Sequence, residues 1–322
     1  MERSRETWDL KLGHPRQLDS INLQELFHDA FEFDSLTSQI PGILSTGNHQ
    51  YIVATNSASR IIGVCVVSSE NYPGEHPLNI DGAAHPGPHG YIDSIAVHPE
   101  AQGQGIGKML LEWGLGFLKS IGCRTARVRA NPPHYAFAGV DVRYLKAICL
   151  LEGSGFKRES VVLNLKAKSH NLKLVQFTRK KQEILAEEGV DFRYAMLPDE
   201  AWLKKELSGR WKPSWVDEVL SLVRPIQRPR PRGLAVAIED GIRLVGFCGW
   251  GMNRSDELGP LGVAPERRNI GIGSTLLGLS CQAQAAAGIR ESELQWAGPI
   301  KFFSHTMQAQ TSRALLTYWK AI

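Results

Sequence analysis

Gly103, Gly105 and Gly107 stand in the run Gln102-Gly103-Gln104-Gly105-Ile106-Gly107-Lys108, and Gly271 and Gly273 stand in Arg268-Asn269-Ile270-Gly271-Ile272-Gly273-Ser274. Each run follows V-x-P-E (Val97, Pro99, Glu100; Val263, Pro265, Glu266) and opens a stretch with helical periodicity. Without a Cβ, glycine lets backbone N–H groups converge on one concavity at a helix N-terminus, where the dipole also favours negative charge. Such loops suit a pyrophosphate. A dinucleotide-binding turn would need G-x-G-x-x-G and an acid about 20 residues on, which neither run has. A Walker-type loop would need G-K-[ST], and Gly107-Lys108-Met109 fails at its last position.

The two runs belong to a longer repeat. Sliding residues 91–130 forward by 166 positions sets Val97 on Val263, Pro99 on Pro265, Glu100 on Glu266, Gly105 on Gly271, Leu110 on Leu276 and Gly122 on Gly288 without a gap. Upstream, residues 61–69 resemble residues 243–251, and in each a glycine stands two residues before a cysteine, Gly63 and Cys65 against Gly246 and Cys248. That glycine precedes the valine by 34 residues in the first copy (63 to 97) and by 17 in the second (246 to 263). The first copy therefore carries a Pro/Gly/His-rich insertion between two strands, and a second insertion, residues 132–144, follows the next strand. Both are candidate binding loops.

These loops need elements to hold them. Periodicity predicts in the first copy a helix over 23–33, strands at 51–55, 61–67 and 91–97, a helix over 106–121, a strand at 125–130, a helix over 143–152 and a strand near 159–165. The second copy repeats this order, with a hairpin turning at Asp240-Gly241. The expected domains are residues 1–170 and 190–322, joined by a charged helix over 171–189 that Gly189 ends. A chain of 322 residues has room for two such cores.

Composition narrows the function. With 43% apolar and 22% charged residues and no long apolar run, a membrane span is not expected, and the charged N-terminus does not read as a secretory signal. Five cysteines, an odd number with no C-x-x-C pair, read as buried free thiols in a reducing cytoplasm. The net charge of +4 gives no reason to expect nucleic acid. His76, His85 and His89 are irregularly spaced with no adjacent acid, so no metal is expected. Trp211 and Trp215 could stack on a sugar face but at this spacing are more often core. The run holding Arg224, Arg228, Arg230 and Arg232 alternates with proline and reads as an extended, solvated loop.

The pattern [QR]-x-x-G-x-[GA] after V-x-P, present twice with strand and helix context, resembles the cofactor-binding motif of the GNAT N-acetyltransferases. Residues 131–158, with Ala138-Gly139-Val140-Asp141, further resemble a tandem subgroup that includes glucosamine and glucosaminide N-acetyltransferases, in which a proline precedes the glycine. The resemblance implies an α/β (α+β) fold of two tandem domains, each a mixed, mostly antiparallel sheet flanked by helices. It also implies transfer of acetyl from acetyl-CoA to a primary amine of a small molecule, an amino sugar as first choice, by direct attack in a ternary complex. A peptide amine as acceptor, or an acyl-CoA-binding regulatory protein with decayed chemistry, stands as the alternative. No metal, nucleic acid or membrane is implied, and a homodimer is compatible with the chain.

By the same resemblance, the pyrophosphate falls on Gln102 to Lys108 and on Arg268 to Ser274, and the thioester carbonyl on backbone N–H groups among Ile95, Ala96 and Val97, or Leu261, Gly262 and Val263. Glu257 occupies a position where members keep a catalytic base, with Asp256 beside it. In the first copy that position is Tyr91, and Asp93, two residues on, could substitute. Each of these acids could equally be a solvated strand-end carboxylate. Members often protonate the departing thiolate with a helix tyrosine. Leu151 and Phe303 stand there instead, so Tyr135, Tyr144, His305 or water must serve, or one copy is silent. The second copy has the better-placed glutamate.

Overall fold

The computed structural model describes residues 9–13, 20–34, 37–44, 48–73, 87–133, 135–226 and 230–322. The chain forms two compact units that do not follow chain order. The first takes Met1–Val162 together with Leu315–Ile322, and the second takes Leu163–Ala314.

The first unit runs β1 (Asp9–Gly13), α1 (Ser20–Ala30), α2 (Ile40–Leu44), β2 (Gln50–Thr55), β3 (Ile61–Ser69), β4 (His89–Val97), α3 (Ile106–Ser120), β5 (Thr125–Val128), β6 (Val140–Asp141), α4 (Leu145–Gly153) and the start of β7 (Lys157–Lys168). Strands β1 to β4 are successive antiparallel neighbours. β4 then pairs with β5 in parallel, over only His89, Gly90 and Tyr91 against Thr125, Ala126 and Arg127. β5 is closed on its other side by Tyr318 to Ala321 of the last strand of the chain, which also pairs with β6.

The second unit starts with the rest of β7 and continues through α5 (Leu172–Glu187), β8 (Val190–Tyr194), α6 (Glu200–Leu207), α7 (Pro213–Val223), β9 (Gly233–Glu239), β10 (Arg243–Trp250), β11 (Leu258–Val263), α8 (Ile272–Ala286), β12 (Glu291–Leu294), α9 (Ile300–Met307) and the start of β13 (Gln310–Ala321). β8 to β11 form an antiparallel sheet, and β12 pairs antiparallel with Leu165 to Lys168 of β7. One parallel bridge, Glu257 to Glu293, ties the head of β11 to β12. Each unit is therefore a mixed, mostly antiparallel α/β layer. Helix α5, expected as a connector, lies within the second unit.

The repeat has a packing cause. α3 buries Leu110, Leu111 and Leu118 against β3 and β4 in one apolar cluster with Cys65, Val67 and Ile92. α8 repeats this with Leu276 and Leu277 against Val245 and Cys248. A Cβ at Gly63 would come within 3.0 Å of Leu110, and one at Gly246 within 2.9 Å of Leu276. The aligned glycines are thus points where each helix packs closely on its strand. At the β9–β10 hairpin, Asp240 and Gly241 both take positive φ (51° and 73°), as a tight two-residue turn requires.

On the far face of the first sheet, Leu26, Phe27, Ile40 and Ile43 of α1 and α2 cover Val53, Val64 and Val66. No helix among the described residues is long and apolar enough to cross a membrane. The exchange of final strands makes a direct prediction. Tyr318 is fully buried in the first unit's core and donates its hydroxyl to Glu152 at 3.1 Å. Tyr318→Ala should cost about 3–5 kcal/mol in urea unfolding, and a change under about 0.5 kcal/mol would place that strand outside the core.

Candidate active site

In the first unit the chain leaves β4 at Val97, makes a short 3-10 turn at Pro99–Ala101 and enters the glycine run. Gln102 folds back to donate to the Val97 carbonyl at 3.0 Å, and Gln104 to the Glu100 carbonyl at 3.2 Å. Gly103 and Gly105 take positive φ (77° and 87°), and Gly105 caps α3 with no side-chain acceptor, so the first-turn amides keep their donors for a ligand. A Cβ at either glycine would meet nothing within 4 Å, so the hollow is open. Ile106 anchors the loop in the core, and Lys108 is exposed beside Glu112.

The second loop has the same skeleton and a different occupant. Arg268 donates to the Val263 carbonyl at 3.0 Å, Asn269 and Gly271 take positive φ, and Ile272 anchors the helix. Lys181 of α5, however, donates its Nζ to the Ile270 carbonyl at 3.2 Å, and its methylenes lie 3.1 Å from where a Gly271 Cβ would be. The chain's own side chain lies over this cradle.

The strands ahead of the loops part from their neighbours at the same point in both copies. β4 leaves β5 after the Tyr91–Arg127 pair; the same positions in the second copy, Glu257 and Glu293 (91 and 127 plus 166), form the single bridge there. His98 N–H donates to the Ile62 carbonyl and Ala264 N–H to Val245. Antiparallel alternation then spends Ala96 and Gly262 on the neighbouring strand and directs the N–H groups of Ile95, Val97, Leu261 and Val263 into the parted side. Ala96 and Gly262, expected among the carbonyl donors, are withdrawn for that reason.

Asp93 is the extra residue of a β-bulge in β4, since Val66 pairs with Ser94 and Val67 with Ile92. It is 8% exposed, neither carboxylate oxygen completes a well-aligned hydrogen bond although Ser68 and the residue's own N–H come near, and His49 Nε2 is 3.8 Å away. Burial pushes its pKa up to about 6, with His49 as the largest pull the other way. The second copy has a bulge at the same place, between Cys248 and Trp250 of β10, and there Gly259 and Pro260 follow β11's first residue. The position of Asp93 is Gly259, without a carboxylate.

Glu257 is buried and its pKa raised by that burial, but one oxygen already accepts the N–H groups of Asn253 (2.9 Å) and Arg254 (3.3 Å), bracing the turn that starts β11. Asp256 is held by the Arg254 guanidinium at 3.2 and 3.3 Å. Arg254 also donates to Glu293, whose other oxygen accepts from Asn164 at 3.0 Å. Both acids thus belong to one buried network.

Among the expected proton donors, Tyr144 donates to Asp34 at 2.6 Å and accepts from the Phe33 N–H, tying α4 to the end of α1. His305 is on the exposed side of α9, and Leu151 and Phe303 are core residues. Tyr135 is buried in the loop after β5. Trp211 and Trp215 stack on each other and meet Phe247 edge-on, as packing residues. The described arginines of the run are bonded rather than free in solvent: Arg224 pairs with Glu200, Arg230 donates to the Gly251 and Met252 carbonyls, and Arg232 to those of Ser221 and Arg224. Arg228, His76 and His85 lie outside the described residues, while His89 is buried against Thr125. No group of three metal-ligating side chains occurs among the described residues. Sequence reasoning missed His49, Ser94, Arg127, Arg129 and Glu159; the signal available was the alternation of Arg127 and Arg129 with apolar residues in a strand.

Two segments, residues 17–138 and 200–298, match the acetyltransferase (GNAT) family, and each contains one of the glycine loops. The chain belongs to the GNAT acetyltransferase family. GNAT proteins are acyltransferases that use acetyl-CoA, and this one is tandem. Its fold resembles a glucosamine N-acetyltransferase region in a fungal multi-domain β-N-acetylglucosaminidase (TM-score 0.76, 18% identity, 98% of this chain and 38% of that one). It also resembles a GCN5-related N-acetyltransferase from Sphaerobacter thermophilus (0.64, 15%, 100% and 97%) and a tandem GNAT protein from the clavulanic acid biosynthesis pathway (0.66, 12%, 98% and 98%). Among curated proteins none matches. For a GNAT cradle the open hollow over Gly103 and Gly105 fits a CoA pyrophosphate, and Lys181 competes for the equivalent space in the second copy. Calorimetry should give one CoA per chain, with Gly105→Val weakening it by about 10-fold or more and Gly271→Val by less than about 2-fold. Two equivalent CoA molecules per chain would contradict this assignment.

Proposed function

We propose that the first unit carries the chemistry, transferring acetyl from acetyl-CoA to a primary amine of a small molecule by direct attack, with Asp93 as the base. Acetyl-CoA supplies the activated acetyl thioester. The residues Gln102 to Lys108 hold its pyrophosphate through backbone N–H groups, and the N–H groups of Ile95 and Val97 polarise the carbonyl. Asp93 removes the ammonium proton, directly or through one water, and lifts the amine into its nucleophilic form; as the nitrogen bonds to the acetyl carbon the C–S bond breaks, and the thiolate leaves and takes up, through water, the second proton that the nitrogen gives up. The observation that carries this reading is the buried, hydrogen-bond-poor carboxylate on the bulge, matched in the second copy by a glycine. The second unit serves as a structural partner whose own cradle is covered by Lys181. For the acceptor an amino sugar is the first candidate, in line with the glucosamine N-acetyltransferase region that this fold resembles.

Asp93→Asn tests the reading because activity and stability should move in opposite directions. A base must be ionised to work, so turnover should rise as pH increases through about 6. The variant should lose about 10²–10⁴-fold in kcat and the pH dependence with it. The folded pKa lies above the ordinary value of 3.8. Stability from the neutral form is therefore fully present below about pH 4 and lost as pH rises through about 6. Asn keeps the shape without the charge, so Asp93→Asn should melt higher than wild type at pH 8, by an amount on the order of 1–3 kcal/mol, and about equally at pH 4. Unchanged kcat in the variant would exclude Asp93 as the base.

A further inference from the structure

Beyond Asp93, the first unit buries a second polar cluster that the chemistry above does not use. Ile92 and Ala126 join the core beneath α3, so strand alternation puts Tyr91 and Arg127 on the opposite face. Arg127 is 1% exposed, and its Nε and Nη1 make no hydrogen bond. Arg129, two residues on, is also buried and is bonded at 3.0 Å to Glu159, whose other oxygen lies 3.5 Å from Arg127 Nη1. Within ion-pair distance, two guanidinium groups share one carboxylate. Glu70, Tyr91 and Arg129 act on Arg127 from further off. The Tyr91 phenol feels Arg127, Arg129, Glu70 and Asp93, so this cluster is continuous with the base.

The second copy shows what a purely structural version of this place looks like. Its counterparts of Tyr91 and Arg127 are Glu257 and Glu293, and both carboxylates are bonded, Glu257 to two backbone N–H groups and Glu293 to Arg254 and Asn164. The first copy instead leaves two buried donors of Arg127 without hydrogen-bond acceptors, which is costly unless a ligand supplies them.

Resting on the acetyl-transfer reading of this unit, we propose that Arg127, with Arg129, binds an anionic group of the acceptor, a carboxylate or a phosphate carried on the same small molecule as the amine. An anionic group is opposite in sign to the two guanidinium groups, and its oxygens complete the donors that Glu159 leaves unfilled. Arg127 is then a specificity-determining residue acting through substrate binding, apart from the proton transfer at Asp93.

The test uses matched amines with and without the anion: glucosamine 6-phosphate against glucosamine, and 4-aminobutyrate against its amide. Binding to the CoA-loaded full chain is read by calorimetry, and turnover by thiol release. Wild type should favour the anionic member of at least one pair by about 10-fold or more in both Kd and kcat/KM, chiefly through KM. Arg127→Gln should bring that ratio to within about 3-fold of unity while leaving the neutral amine's kcat/KM within about 3-fold, and Arg127→Lys should keep part of the preference. Which pair responds separates carboxylate from phosphate. Turnover with no anionic preference in wild type overturns the proposal and leaves the acetyl-transfer reading standing, even where Arg127→Gln fails to fold. Anionic preference in binding with no thiol release supports the subsite and counts against the reading. Neither binding preference nor thiol release overturns both.

Discussion

Three residues of parallel pairing, His89 to Tyr91 against Thr125 to Arg127, determine where the central strands of the first unit separate. Beyond Tyr91, β4 is bonded on one side only, and antiparallel alternation leaves every second N–H without a protein acceptor. A sheet ordinarily satisfies such donors, and the ones left here, at Ile95 and Val97, lead directly into the glycine loop and the start of α3. The bulge at Asp93 sits inside that one-sided stretch, where an extra residue can be accommodated without breaking a second ladder. The open hollow, the free amides and the buried carboxylate all follow from that short pairing.

The second copy shows how little of this geometry commits a fold to chemistry. It keeps the parting strands, the bulge, the loop and the helix, because those depend on glycine at the close approaches and on an apolar helix face. It loses the carboxylate to Gly259, removes one strand N–H with Pro260, fills its cradle with Lys181 and closes its strand fork with Arg254, Glu257 and Glu293. Lys181 and the Arg254, Glu257 and Glu293 network satisfy inside the protein positions that the first copy leaves open or unfilled.

Much of the framework was legible in the residues. The helix predicted over 106–121 is α3 (Ile106–Ser120), the hairpin turn falls on Asp240 and Gly241, and both glycine loops open their helices as expected. These are local features, decided by periodicity and by backbone conformations that few residues tolerate. Ranking the acids was harder, because a carboxylate's role depends on what donates to it. Glu257 stands at the more promising spacing, yet two N–H groups from its own turn occupy it; Asp93 stands at a less expected one and lacks such partners. The arginine run reads as solvated from its prolines, but carbonyls at the end of α7 and just after β10 capture the guanidinium groups of Arg230 and Arg232.

By itself the sequence determined that the chain contains one fold twice, because a gapless repeat of glycines and apolar positions carries the helix-on-strand packing of Gly63 with Leu110 and Gly246 with Leu276. It also determined that in both copies a glycine loop opens the helix that follows the strand. Only the tertiary structure decided which loop is open, since Lys181 is 90 residues before Gly271 in the chain and over it in space. The same holds for the exchange of β7 and β13, where pairing with distant strands outweighs chain order. Burial and hydrogen-bond satisfaction set Asp93 and Arg127 apart from the bonded carboxylates of Glu257 and Glu293, and both are properties of the packed molecule.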